Sequence, residues 1–167
     1  MNIDFLKRLL LFVVLLLVQV LVLNHIRLFG FATPMLYVYF VISFNRGYPK
    51  WAVLIWSFLL GLGIDIFADT PGVAASALTL TALLQPYALE LFLQRDSDEN
   101  LQPAIATLGL PKYAYFTLML TFVYCFVFFT VEMFSFFNWL QWLLNVVGST
   151  ALSTLLIVVV ANLRKTA

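Results

Sequence analysis

Charge is what this sequence has least of. Only 10% of its 167 residues are charged, against about 25% in an ordinary water-soluble domain. No stretch is both long and polar enough for a second, soluble domain, so residues 1–167 read as one multi-pass unit. The formal net charge of +1 gives no electrostatic basis for binding nucleic acid. Cysteine is nearly absent: Cys125 stands alone between Tyr124 and Phe126, with no internal disulfide partner and no metal-ligating neighbour. The one histidine, His25, follows Asn24 at the end of an apolar run, which suits a membrane interface better than a metal. The chain has no nucleophile elbow, phosphate loop, metal-ligand spacing or histidine-based acid/base pair. Gly61-x-Gly63 lacks the third glycine and the strand of a dinucleotide fingerprint. Asp65 and Asp69 share one predicted helix, without the second-helix aspartate an intramembrane aspartyl protease needs. No catalysis, metal or cofactor is expected.

What is present is hydrocarbon. Apolar residues make up 63% of the chain, and the mean hydropathy is +1.02. About 20 apolar residues in a helix cross a bilayer core of about 30 Å. Six runs qualify, near 5–23, 28–44, 51–68, 73–93, 113–134 and 140–163. The first has a basic start, Lys7 and Arg8, but is too long for a signal peptide and has no small-x-small cleavage site after it, so it is expected to be retained. The second is interrupted by Gly30 and Pro34, and its regular helix is expected to begin near Pro34. Pro86 is expected to kink the fourth. Between the fourth and fifth, Ala104 to Leu110 forms a short apolar patch that suits the membrane surface.

With the start of the chain cytoplasmic, six spans put Lys7, Arg8, Arg46, Lys50, Arg95, Lys112, Arg164 and Lys165 on the inner side and only Arg27 outside. That asymmetry is the positive-inside pattern, and it supports the span count and the orientation together. Both ends of the chain are then cytoplasmic.

The unusual residue is Asp65. A carboxylate within an apolar span costs roughly 2.5–3.5 kcal/mol on insertion scales, so it normally faces protein or a cavity. Ser57, Gly61 and Asp65 recur every four residues and share a helix face, a small-xxx-small spacing that admits a close neighbour. Three readings of Asp65 stand: a cap or packing residue, a contact for a partner's helix, or a ligand for a solute or proton. Gln19, alone and polar in the first span, reads as an interhelical hydrogen bond.

In order along the chain, Gln19, Gly30 with Pro34, Arg46-Gly47, Gly61 with Asp65, and Pro71-Gly72 resemble the rod shape-determining MreD family. The likeness covers roughly residues 19–87. It implies an all-α integral membrane protein of six spans with a fold like the substrate-binding subunits of energy-coupling-factor transporters. It also implies a non-catalytic scaffold of the cell-elongation complex in the bacterial cytoplasmic membrane. Such a scaffold would bind the single-pass protein MreC and connect indirectly to MreB, RodA and an elongation-specific transpeptidase. Candidate residues for partner binding or helix packing are Gln19, Pro34, Ser57, Gly61, Asp65, Pro71 and Gly72. A groove on the small-residue face of the third span and the start of the fourth is the expected docking place. The rival reading is a vitamin-type solute-binding transporter subunit, with Asp65, Asp69, Glu132 and Asn138 as outer polar groups.

Overall fold

The computed structural model describes residues 3–21, 36–44, 48–68, 72–92, 109–133 and 139–166. These residues are helical or lie in short turns, and none is in a strand. The helices are α1 (Ile3–Leu21), α2 (Val38–Ile42), α3 (Lys50–Ala68), α4 (Val73–Phe92), α5 (Leu110–Met133) and α6 (Trp139–Thr166). Three of them, α3, α5 and α6, are long and apolar enough to cross a membrane. In α1, Asp4, Lys7 and Arg8 concentrate charge in the first two turns, whereas Thr79, Thr81, Gln85 and Glu90 make α4 less apolar.

Helices α3 and α4 match the third and fourth expected runs to within a residue, α1, α5 and α6 are offset from theirs by one to three residues, and α2 covers only 38–42 of the expected 28–44. The fifth helix begins at Leu110, ahead of the expected 113, because Pro111 costs nothing in a first turn whose N–H groups have no helical acceptor. The patch expected on the membrane surface therefore ends inside α5, and its residues 104–108 lie outside the described residues. Helix α4 runs through Pro86 without a break. Of the second run, only 36–44 are described, and Gly30 and Pro34 fall outside them.

Neighbours in sequence are neighbours in space. Helices α3 and α4 form the most extensive pair, α5 packs on α4, α6 on α5, and α1 on α3. The short α2 touches α1, α3, α4 and α5, and every one of its residues is buried. The core is thus built around a helix of five residues. Phe12 of α1, Phe40 of α2 and Trp56 of α3 meet edge to face at 5.7–6.0 Å between ring centres. Edge-to-face rings of this kind add about 0.5–1.5 kcal/mol beyond their buried area. The outward faces of α1, α3, α5 and α6 carry exposed Leu, Ile, Val and Phe side chains. An apolar exterior around a core containing hydroxyls and amides suits a hydrocarbon surrounding.

One end of the bundle is basic. Near the start of α1, the Arg8 guanidinium lies 4.4 Å from the Phe44 ring centre and 4.5 Å from that of Tyr48. At the start of α3, the Lys50 ammonium lies 4.7 Å from the Tyr87 ring centre, near the end of α4. Asp65 and Glu132 lie toward the opposite ends of their helices.

Candidate functional site: the α3–α4 clasp and the tethers of α2

The candidate site begins with a glycine that cannot cap the helix it opens. Gly72 has φ +80°, a conformation in which a side chain is strained. It precedes α4, in the position where Ser, Thr, Asn or Asp would normally accept the first free N–H groups. Glycine has no side chain to do this. Asp65, near the end of the preceding helix, reaches across instead. Its Oδ1 accepts the Ala74 N–H at 2.8 Å and its Oδ2 accepts the Ala75 N–H at 3.0 Å. Both donors are among the four at a helix start that have no acceptor within the helix. The positive end of the α4 dipole adds further attraction for a carboxylate. Asp65 is only 4% exposed, so these bonds form away from water, where an unmet carboxylate would be costly.

Gly61, one turn earlier, makes that reach possible. A Cβ placed on Gly61 would lie 2.4 Å from the Ala75 Cα and 2.7 Å from the Ala75 nitrogen. Real Cβ atoms do not approach backbone so closely, so hydrogen at this position lets the two helices touch. Ser57, one turn further back, is fully buried, and its hydroxyl has no hydrogen-bond partner among the described residues. Gly63 faces another neighbour, with the Leu16 side chain of α1 3.1 Å from where its Cβ would sit. The small residues of α3 therefore serve two contacts, one with α4 and one with α1.

Two glutamines hold α2. Gln19 of α1 is 1% exposed, and its Oε1 accepts the Leu36 N–H at 3.1 Å, just ahead of α2. Gln85 of α4 is equally buried, and its Nε2 donates to the Phe44 carbonyl at 3.3 Å, just behind it. A five-residue helix cannot satisfy its terminal groups internally, and hydrocarbon offers no water to do so. The amides therefore reach in from the neighbouring long helices. On the side toward α5, the Tyr37 and Tyr124 hydroxyls hydrogen-bond to each other, with their rings edge to face at 5.4 Å.

The structure brings Gly61 and Asp65 directly onto α4, with Gly72 at the turn between, and sets Gln19 against the approach to α2. Pro34 and Pro71 lie outside the described residues, as do Asp69 and Asn138. Glu132 is exposed on the last turn of α5. The face of α3 expected to receive a partner is turned onto the start of α4, so Gly61 and Asp65 meet this chain's own backbone. Sequence reading missed Gln85, Tyr37 and Tyr124. The available signal was the same one that picked out Gln19: a polar group in the middle of an apolar run. The receiving amides of Ala74 and Ala75 carry no side-chain signal at all.

Among the described residues, fold and site define an all-helical membrane-protein arrangement with three helices able to cross a membrane and with Asp65, Gln19 and Gln85 joining one element to another. No protein-family model matches the chain, and no curated protein or solved structure matches it either.

Proposed function

We propose that this chain is a non-catalytic, six-span scaffold of the bacterial cell-elongation complex, in the cytoplasmic membrane with both ends inside. In this reading it binds the single transmembrane helix of MreC and, through it, helps organise MreB, RodA and the elongation transpeptidase during side-wall peptidoglycan synthesis. The order of Gln19, Arg46-Gly47, Gly61 with Asp65 and Pro71-Gly72 along the chain supports the family assignment. The observation that carries the scaffold over the solute-binding alternative is the engagement of Asp65. Both of its carboxylate oxygens accept backbone N–H groups at the start of α4. A solute site needs polar groups that converge on a cavity, whereas this carboxylate, the strongest outer-half candidate, is spent on joining α3 to α4. The gathering of Arg8 and Lys50 at one end of the bundle, away from Asp65, supports the proposed orientation.

The clasp joins α3 to α4, and the exposed faces left for a partner include α3 at Ile55 and Leu59 and α6 at Leu144 and Leu155. A partner helix would pack on one of those faces through close contacts and a few hydrogen bonds, since lipid is as apolar as the helix surface. The test is site-specific crosslinking in membranes. Single cysteines replace Ile55 and Leu59 on α3 and Leu144 and Leu155 on α6, with Cys125 left buried in place. Crosslinks to MreC confined to one of the two faces are expected. Uniform failure at all four positions, with MreC present and the variants folded, removes the scaffold reading.

A further inference from the structure

We propose that the seam between α5 and α6 holds an anionic phospholipid, with an acyl chain in the seam and the headgroup phosphate at Lys112. The inference rests on the membrane-spanning character of these two helices and not on any protein partner. The seam is a lateral groove of about 670 Å³, within the roughly 300–1,000 Å³ typical of ligand clefts. Tyr115, Leu118, Met119 and Phe122 of α5 form one wall, and Val147 and Ala151 of α6 form the other. The four α5 residues follow the i, i+3, i+4, i+7 pattern of a single helix face. They extend over roughly 10 Å at 1.5 Å per residue, long enough to cradle a substantial part of an acyl chain.

Both walls belong to helices long and apolar enough to lie within hydrocarbon. A groove that opens sideways there meets acyl chains. Which end receives the headgroup follows from charge. Lys112 sits three residues before Tyr115, on the same face of α5 and one turn beyond the groove, and it is exposed. Tyr115 is 64% exposed, so an apolar ring enters the groove beside a phenol able to donate to a phosphate oxygen. Helix α6 runs antiparallel to α5, as the Trp142 Nε1–H donating to Thr130 Oγ1 at 3.1 Å establishes. At the other end of α5 the exposed charge is Glu132, which repels phosphate. Glu90 of α4 lies two residues before Phe92, which touches the groove, and so points to the other side of its helix. Charge thus favours an anionic headgroup at one mouth of the seam only.

The test uses the full chain, purified in detergent and stripped of lipid. It is titrated with mixed micelles of phosphatidylglycerol or phosphatidylcholine bearing identical acyl chains, and retention is read by native mass spectrometry. One phosphatidylglycerol per chain is expected, preferred by about fivefold for each basic residue engaged, and less so at high salt. Lys112→Gln should reduce that preference while leaving retention of phosphatidylcholine unchanged. Ala151→Phe and Val147→Trp replace exposed residues and fill the groove, so each should reduce retention of both lipids while helicity by circular dichroism stays constant. Equal retention of the two lipids by the unaltered chain would overturn the proposal, as would full preference in Lys112→Gln. So would groove variants that keep their lipid and instead change the oligomeric mass or lose a co-purifying membrane protein, because the seam would then belong to a second copy or a partner.

Discussion

At Gly72 the backbone turns with φ +80° on a residue that has no side chain to cap α4, and Asp65 supplies a cap from one helix back. The chemistry of the substitution should therefore matter more than its size. Asparagine offers one acceptor where the carboxylate offers two, so Asp65→Asn should keep one of the two bonds and cost less than the leucine variant. Asp65→Leu leaves two buried N–H groups unmet and should cost about 1–3 kcal/mol. Unfolding in mixed micelles, followed by loss of helicity, measures the difference, and equal midpoints for the two variants would contradict the capping role. The glycines offer a second contrast within one helix. At Gly61 a methyl group meets backbone at 2.4 Å, and at Gly63 it meets the end of a leucine side chain at 3.1 Å. Backbone cannot yield as a rotamer can, so Gly61→Ala should destabilise by about 1–3 kcal/mol as overpacking does. Gly63→Ala should fall well below that in the same assay.

Among the elements, α2 is the one that cannot stand alone. Five residues are far fewer than the dozen or more an isolated helix needs, so its form is imposed by its surroundings. Gln19 and Gln85 meet the backbone at either side of it, from α1 and α4. Replacing either with leucine should cost about 0.6–1.7 kcal/mol, the usual size of a membrane hydrogen bond between helices. The two tethers act at opposite sides of α2, so the double variant should come within about 0.5 kcal/mol of the sum of the singles. A much larger loss would mean that α2 is released as a unit once both tethers are gone. The sequence identified Gln19 because it is the one polar interruption in its run. It did not identify α2 as the centre, because a short apolar stretch looks the same whether it lies at the middle or at the edge of a bundle.

For the molecule as a whole, basic groups gather at one end and the Asp65 clasp lies at the other. In the proposed six-span topology, cysteines introduced at Lys7 and Lys112 should react with a membrane-impermeant thiol reagent only from the cytoplasmic side, and one at Glu132 only from the outer side. Buried Cys125 should contribute no background. Labelling of Lys7→Cys and Glu132→Cys from the same side would be incompatible with six spans. The boundaries of α3 and α4 were legible from hydropathy and breakers because Lys50, Pro71 and Gly72 punctuate the chain locally. The extension of α5 to Leu110 was less legible, since Gly109 and Pro111 on either side read as breakers and hide a helix start.

Composition and the length of the apolar runs alone pointed to an all-α membrane protein, because backbone groups in hydrocarbon must find their partners within helices. They also marked Asp65, Gly61 and Gln19 as residues that must face something other than lipid. Only the tertiary structure decided what they face. A carboxylate and a glycine on one helix place no constraint on direction until another backbone comes near, and here it is the chain's own fourth helix that does. Burial cost made these residues conspicuous, and packing assigned their contacts.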